Sequence, residues 1–288
     1  MQIIRTIKEL RPVIREYRLK NKSIGFVPTM GALHPGHLNL IKASKEECEY
    51  TVISIYVNPT QFNAPDDLNS YPRDIEADTK IARDAGTDIL FVPDDKEMYS
   101  KEFSTIVEVS GHVTNTLCGI SRPGHLRGVV TVVCKLFNIV QPDKAYFGLK
   151  DAQQAIVVSK MVNDLNFPVE IRLMPIAREK DGLAYSSRNE NLTDEKRENA
   201  LILNQSLNHA KKRIMEDNER DAMKVTGEMY EMVSKTKGAK IDYISIVSLP
   251  TLKDVKKIKD QIMIAMAVFI GETRLIDNII LNVNGKAK

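Results

Sequence analysis

From Ser23 to Met174 short apolar runs of strand character alternate with longer stretches of helical period, and this limits the fold more than any other feature. The runs Ser23–Pro28, Thr51–Val57, Asp88–Val92, Lys144–Phe147 and Val169–Met174 read as strands. They are short, rich in β-branched residues and bounded by turn residues. Between them Gly36–Cys48, Asp74–Ala85, His125–Val140 and Ala152–Leu165 read as helices. Ahead of the first strand, Thr6 and Glu9 form a capping-box pattern, and Leu10, Val13, Ile14 and Tyr17 fall on one helical face. Strands alternating with helices predict βαβ units and a parallel, Rossmann-like sheet covered on both faces. Ligands of such sheets bind at the carboxyl ends of the strands.

After Pro175 the pattern changes. Residues 193–236 read as one long, charged helical region, and Asp242–Val247, Gln261–Phe269 and Leu275–Val283 read as three consecutive strands. Helices followed by strands predict a separate α+β unit. The expected domains are 1–176, binding nucleotide, and 177–288, smaller and α+β. A chain of 288 residues with 43% hydrophobic and 27% charged residues supports a real core without disulfide or metal staples.

The 41 basic and 38 acidic residues leave a net charge of +3, with no basic stripe of the kind nucleic acid requires. Cys48, Cys118 and Cys134 are odd in number and widely spaced, which fits a reducing cytoplasmic setting and argues against a zinc site. No stretch approaches the ~20 apolar residues of a membrane helix.

Two segments carry the chemistry. Pro28–His37 (PTMGALHPGH) joins the first strand to the next helix, where helix N–H groups and the dipole attract phosphate. Gly31 and Gly36 permit close backbone approach, and His34 and His37 offer side-chain donors three residues apart. Alone, the stretch also reads as an ordinary turn with two surface histidines. Ser186-Ser187-Arg188-Asn189 follows the last sheet strand, preceded by Arg178, Lys180 and Asp181. Its hydroxyls and guanidinium suit phosphate oxygens, although a polar inter-domain loop would look the same. An early H-x-G-H with a Ser/basic segment after the sheet is the arrangement of class I nucleotidylyl-transferring (HIGH-type) enzymes.

PTMGALHPGHLNLI, YVNPTQF, YPRD, RPGHLRG, AYFGLKDAQQ and DGLAYSSRN occur in this order and spacing, and the chain thereby resembles the pantoate–beta-alanine ligase family. The resemblance is dense through the first two-thirds of the chain. It implies a Rossmann-like domain with a C-terminal lid, usually in a homodimer. It implies ATP binding by Met30, Gly31, Ala32, Leu33, His34, Pro35, Gly36 and His37, by Gly148, Leu149, Lys150 and Asp151, and by Ala177, Tyr185, Ser186, Ser187 and Arg188. Pantoate falls to Gln61 and Gln154, with Gln61 also near beta-alanine. Leu149 stands where the family usually has glutamate, so any contact of that carboxylate is absent.

Several residues carry plainer readings as well. Asp151 suits a helix N-cap with Gln154 completing a capping box. Asn58 suits either substrate or loop polarity. Arg122, His125 and Arg127 form either a solvated basic face or an anion site. Tyr71 and Arg73 are weaker candidates. Asp74, Glu76 and Asp78 bias a helix start, with a magnesium role for Asp78 as the alternative.

The implied reaction condenses (R)-pantoate with beta-alanine using ATP, on the route to vitamin B5 and coenzyme A. His34, His37, Lys150, Ser186, Ser187 and Arg188 are the expected catalytic set. His37 is the expected proton donor, its neutral form favoured by the helix start and its charged form by bound phosphate. Magnesium is expected to arrive with ATP, and no residue is assigned to a metal. The competing readings are a nucleotidyltransferase that retains nucleotide in a CDP- or ADP-linked product, an aminoacyl-tRNA synthetase without its usual tRNA-binding extension, and a catalytically silent nucleotide-binding module.

Overall fold

A computed structural model describes residues 1–63 and 65–284. The elements run β1 (Gln2–Ile4), α1 (Ile7–Leu19), β2 (Ile24–Thr29), α2 (Pro35–Glu47), β3 (Tyr50–Ile55), α3 (Pro65–Asn69), α4 (Ile75–Asp84), β4 (Ile89–Phe91), α5 (Asp95–Met98), α6 (Cys118–Ser121), α7 (His125–Val140), β5 (Lys144–Gly148), α8 (Ala152–Asp164) and β6 (Glu170–Met174). They continue as α9 (Asp194–Ala200), α10 (Ile202–Met215), α11 (Ala222–Ser234), β7 (Ala239–Ser248), β8 (Gln261–Ile270) and β9 (Thr273–Asn282). The chain forms two compact units. The first holds Met1–Ser110, Arg122–Leu149 and Gln154–Pro175, and the second holds Gly111–Ser121, Lys150–Gln153 and the chain from Ile176.

In the first unit six parallel strands lie in the order β1-β4-β3-β2-β5-β6. Strands β2 and β3 are almost wholly buried, as strands covered on both faces must be. The connection from β2 runs towards β3, whereas that from β5 runs the other way to β6. The switch point therefore falls between β2 and β5, so the general rule for such sheets puts the ligand site beyond their carboxyl ends, Thr29 and Gly148. Val27, Ile41, Ile53, Leu90 and Tyr146 are fully buried around the same sheet. Each such side chain contributes roughly 1.5–3 kcal/mol of transfer free energy.

Strand β1 has no sequence signature, since its three residues are held by parallel pairing of Gln2 with Ile89 and by Gln2 N–H donating to Asp88 O at 2.8 Å. The Thr6 cap is present, with Glu9 N–H donating to Thr6 Oγ1 at 3.2 Å. The Glu9 carboxylate takes the Thr6 hydroxyl at 2.8 Å, a variation on the capping box.

In the second unit β7, β8 and β9 form an antiparallel sheet, and β8 occupies its centre. The region expected as one long helical stretch is three helices. Asp221 restarts the chain as the cap of α11, accepting from Met223 N–H at 2.9 Å and Lys224 N–H at 3.3 Å. Leu203, Leu207 and Ile214 of α10 and Val225, Met229 and Val233 of α11 recur at helical spacing and are buried in one core with β8.

Candidate active site

The loop leaving β2 is built on two consecutive left-handed residues, Gly31 at φ 83° and Ala32 at φ 49°. Thr29 starts it: its hydroxyl donates to Ser54 O at 2.8 Å and accepts from Gly31 N–H at 3.2 Å. Successive amides in this geometry converge on an anion, and here the anion is the protein's own. Asp78, buried on α4, accepts from Ala32 N–H through Oδ2 at 2.9 Å and from Leu33 N–H through Oδ1 at 2.7 Å. A Cβ on Gly31 would stand 2.7 Å from Asp78 Oδ2, so both torsion and space demand glycine. Burial pushes the Asp78 carboxyl above its usual range, against the opposing pull of the Leu33 and Ala32 amides. The helix-start reading of the acidic run fits Asp74, which caps α4 by accepting from Ala77 N–H at 2.9 Å. Asp78 instead holds the loop. Both its oxygens are engaged, and a magnesium role does not suit it.

At the start of α2 the histidines cap the helix. His34 Nδ1 accepts from Gly36 N–H at 3.1 Å, and His37 Nδ1 accepts from His34 N–H at 3.3 Å. The rings lie 4.1 Å apart at an interplanar angle of 38°. An amide can only donate, so each Nδ1 presents a lone pair and each neutral ring carries its proton on Nε2. In both rings, therefore, the donor nitrogen is Nε2, and no imidazolium form is needed to place a proton there. Sequence reasoning found the residues but not this tautomer, which depends on ring orientation.

The YVNPTQF loop meets this corner through Met30. Gln61 Nε2 donates to Met30 Sδ at 3.1 Å, and Asn58 Nδ2 donates to Gln61 Oε1 at 3.0 Å and to Gly128 O at 3.2 Å. Tyr99 OH donates to Asn58 Oδ1 at 2.8 Å. Asn58 and Gln61 are buried, so loop polarity does not describe them. The solvated-face reading also fails for His125, which is 8% exposed. Its Nδ1 lies 2.9 Å from Gln61 O and its Nε2 lies 3.2 Å from Arg122 Nη1. A carbonyl accepts and a guanidinium donates, so this ring carries its proton on Nδ1, the reverse of the α2 pair. Arg122 Nη2 also donates to Gln61 O at 3.3 Å, while Arg127 is exposed. Helix α7 seats closely here, because a Cβ on Gly128 would fall 2.4 Å from Thr60 O and 2.8 Å from Gln61 Cα. Tyr71 packs edge-on to Phe62, and Arg73 closes the end of α3 by donating to Leu68 O at 2.7 Å. Both serve the loop.

Gly148 ends β5, and Gln154 is half-buried on α8. Leu149, Lys150 and Asp151 make a 3-10 turn that leads directly into α8. Asp151 thus lies inside a helical turn, not at the extended cap position its spacing from Gln154 predicts. The neighbouring Gln153, buried, accepts from Cys118 N–H at 3.0 Å and donates to Val113 O at 2.9 Å and Thr116 O at 2.8 Å. In the second unit residues 177–185 form a tight antiparallel turn, with Tyr185 N–H donating to Ala177 O at 3.0 Å and Glu179 N–H to Leu183 O at 2.8 Å. Ser186 then caps a 3-10 turn (Ser187–Asn191) by accepting from Arg188 N–H at 3.2 Å. Tyr185, Ser186, Ser187 and Arg188 are all half-buried. Among the described residues no group of three or more His, Cys, Asp or Glu is placed to hold a metal ion, and no helix is long and apolar enough to cross a membrane.

A parallel sheet that reverses its winding beside β2, with paired imidazoles starting the helix that leaves that strand, defines the class I nucleotidylyltransferase fold. Within that class the sequence model of the pantoate-beta-alanine ligase family matches residues 2–280, and the chain belongs to this family. A pantothenate synthetase from Acetivibrio thermocellus is 50% identical over 283 residues, covering 98% of this chain and all of the relative. The crystal structure of pantothenate synthetase from Thermus thermophilus superimposes with a TM-score of 0.92 at 40% identity, over 97% of this chain and 99% of that one. The pantoate-beta-alanine ligase of Francisella tularensis, solved with beta-gamma ATP and beta-alanine, gives a TM-score of 0.79 at 36% identity, over 97% of both chains.

Proposed function

We propose that the chain condenses pantoate with beta-alanine, consuming ATP and releasing AMP and pyrophosphate through a pantoyl-adenylate intermediate. The observation that carries this reading is the pair of imidazoles held through their Nδ1 atoms at the start of α2, together with the buried Gln61 bonded to Met30 of the same loop. In the first step a pantoate carboxylate oxygen attacks the α-phosphorus and the bond to pyrophosphate breaks. Negative charge spreads over the phosphoryl oxygens, and donors fixed in advance stabilise it without reorganising. His34, His37, Lys150, Ser186, Ser187 and Arg188 take this role, with His37 donating on the leaving side. Gln61 and Gln154 hold the hydroxy acid through paired donor and acceptor groups. In the second step the amine of beta-alanine attacks the acyl carbon, the C–O bond to AMP breaks, and the amine gives up a proton.

Magnesium is assigned to the nucleotide, and no step is routed through it. Residues 1–176 act as the ATP- and pantoate-binding domain and 177–288 as the C-terminal lid domain. The enzyme works as a homodimer in the cytoplasm, and a sedimentation mass equal to the 32.5 kDa monomer would exclude the dimer. The reaction is tested by following AMP and pyrophosphate from ATP and pantoate, with and without beta-alanine. Pyrophosphate should appear up to one turnover without the amine, and AMP should accumulate only with it. Nucleotide retained in a covalent product would favour the nucleotidyltransferase alternative. ATP binding with no turnover at all would favour the silent module.

A further inference from the structure

The second unit contains a buried polar pair, Asp277 and Asn278, in the middle of β9, for which the reaction proposed above has no use. They are 3% and 5% exposed on a strand otherwise rich in isoleucine and leucine. Burying a carboxylate and an amide in a sheet is unfavourable unless each is fully partnered. Both are, and their partners are informative. Asp277 receives the guanidinium of Arg178 end-on, Nη1 to Oδ2 at 2.7 Å and Nη2 to Oδ1 at 3.0 Å. Such two-point pairing fixes orientation as well as distance. The same Nη1 donates to Gly182 O at 3.1 Å, and Arg178 pairs with Ala184 across the tight turn. The turn therefore closes around a guanidinium that β9 holds, and Ser186, Ser187 and Arg188 follow directly from it.

Asn278 does the corresponding work on the other segment. Its side-chain Nδ2 donates to the main-chain carbonyl of Lys150 at 3.0 Å, and its own amide donates to Asp277 Oδ1 at 2.8 Å. Two adjacent residues of one strand thus hold two segments far apart in sequence, and both segments belong to the proposed phosphate-binding set. We infer that Asp277 and Asn278, with Arg178, are positioning residues that set Lys150 and the Ser186–Arg188 segment in fixed register for the triphosphate. The inference rests on the function proposed above, since it assigns those two segments to ATP. It locates the rigidity of that half of the site in the antiparallel sheet and not in the loops themselves.

The test is a double-mutant cycle on the full-length chain. Asn278→Ala, Lys150→Ala and the double variant are compared for pyrophosphate release and for ATP affinity by calorimetry, with thermal unfolding as the check on folding. Losing the bond to the Lys150 carbonyl should lower pyrophosphate release about tenfold in the wild-type background. In the Lys150→Ala background the same change should have almost no effect, because the side chain it positions is gone. Equal factors in both backgrounds, or an unchanged rate in Asn278→Ala, would overturn the inference. Should Asn278→Ala fail to fold, Arg178→Lys replaces it in a cycle with Arg188→Ala, since lysine cannot make the two-point contact with Asp277. The same criterion applies. If wild-type protein releases no pyrophosphate, the functional reading fails. ATP affinities over the cycle then decide the positioning role by the same pattern of coupling.

Discussion

The carboxylate of Asp78 accepts the Leu33 amide at 2.7 Å across 45 residues of sequence, and with it α4 holds the bend between β2 and α2. Replacing Asp78 by Asn keeps size but turns one acceptor oxygen into a donor facing a backbone N–H. One of the two loop bonds is lost, and the Gly31–Ala32 bend loosens just ahead of His34. Pyrophosphate release should fall by up to about 100-fold, the scale of a small misplacement of catalytic groups. A rate within a factor of about two of wild type would show that the bend needs no carboxylate.

The same residue gives a pH dependence of stability with a definite sign. Its folded-state carboxyl titrates above its unfolded value because burial penalises the charge. In the interval between the two values the folded protein binds more protons, so this group's contribution to stability improves as pH falls. The Asp78→Asn variant lacks this effect. Thermal unfolding from neutral pH down into the carboxylate range should therefore show wild type gaining on the variant. A difference that is flat, or that moves the other way, would contradict the assignment.

His34 and His37 separate capping from chemistry. His34→Ala removes the acceptor for Gly36 N–H and should cost about 1 kcal/mol of stability, whereas His34→Asn keeps an acceptor there. Both should lose pyrophosphate-release rate if the ring acts as proposed, since neither carries an Nε2–H. His37→Ala should lower pyrophosphate release roughly 100- to 1,000-fold with the fold intact. If His34→Asn turns over like wild type, the first ring is a cap and nothing more.

Gly128→Ala probes the seating of α7 on the Gln61 loop. The added methyl meets backbone atoms of Thr60 and Gln61, which cannot give way as a flexible side chain would. Overpacking of this kind costs about 1–3 kcal/mol. With Gln61 displaced, the KM for pantoate should rise more than the KM for ATP in steady-state assays. Parallel changes in the two constants would uncouple Gly128 from the pantoate side.

The sheet was legible because buried parallel strands announce themselves as apolar runs between turn residues, as Ile24–Thr29 and Tyr50–Ile55 do. Strand β1 escaped because three residues carry no period. The histidine corner was legible as a motif, yet its capping geometry was not, since ring orientation leaves no trace in spacing. Asp78 looked like a helix-start charge because its partners lie far back in the chain. Asp277 and Asn278 drew no notice inside the Leu275–Val283 strand, because their partners Arg178 and Lys150 lie about a hundred residues or more earlier in the chain.

Ala32 sits at φ 49°, where a residue with a Cβ carries a penalty of roughly 1 kcal/mol or more, and the Asp78 carboxylate holds it there by accepting the Ala32 and Leu33 amides. The bend is thus held by bonds internal to the protein. On the function proposed above, ATP would dock against a corner the protein already holds, so little chain entropy would be lost on association. Affinity at this corner should consequently vary weakly with temperature-driven loosening of neighbouring loops, and a variant that frees the bend should bind nucleotide with a larger entropic penalty than the parent protein.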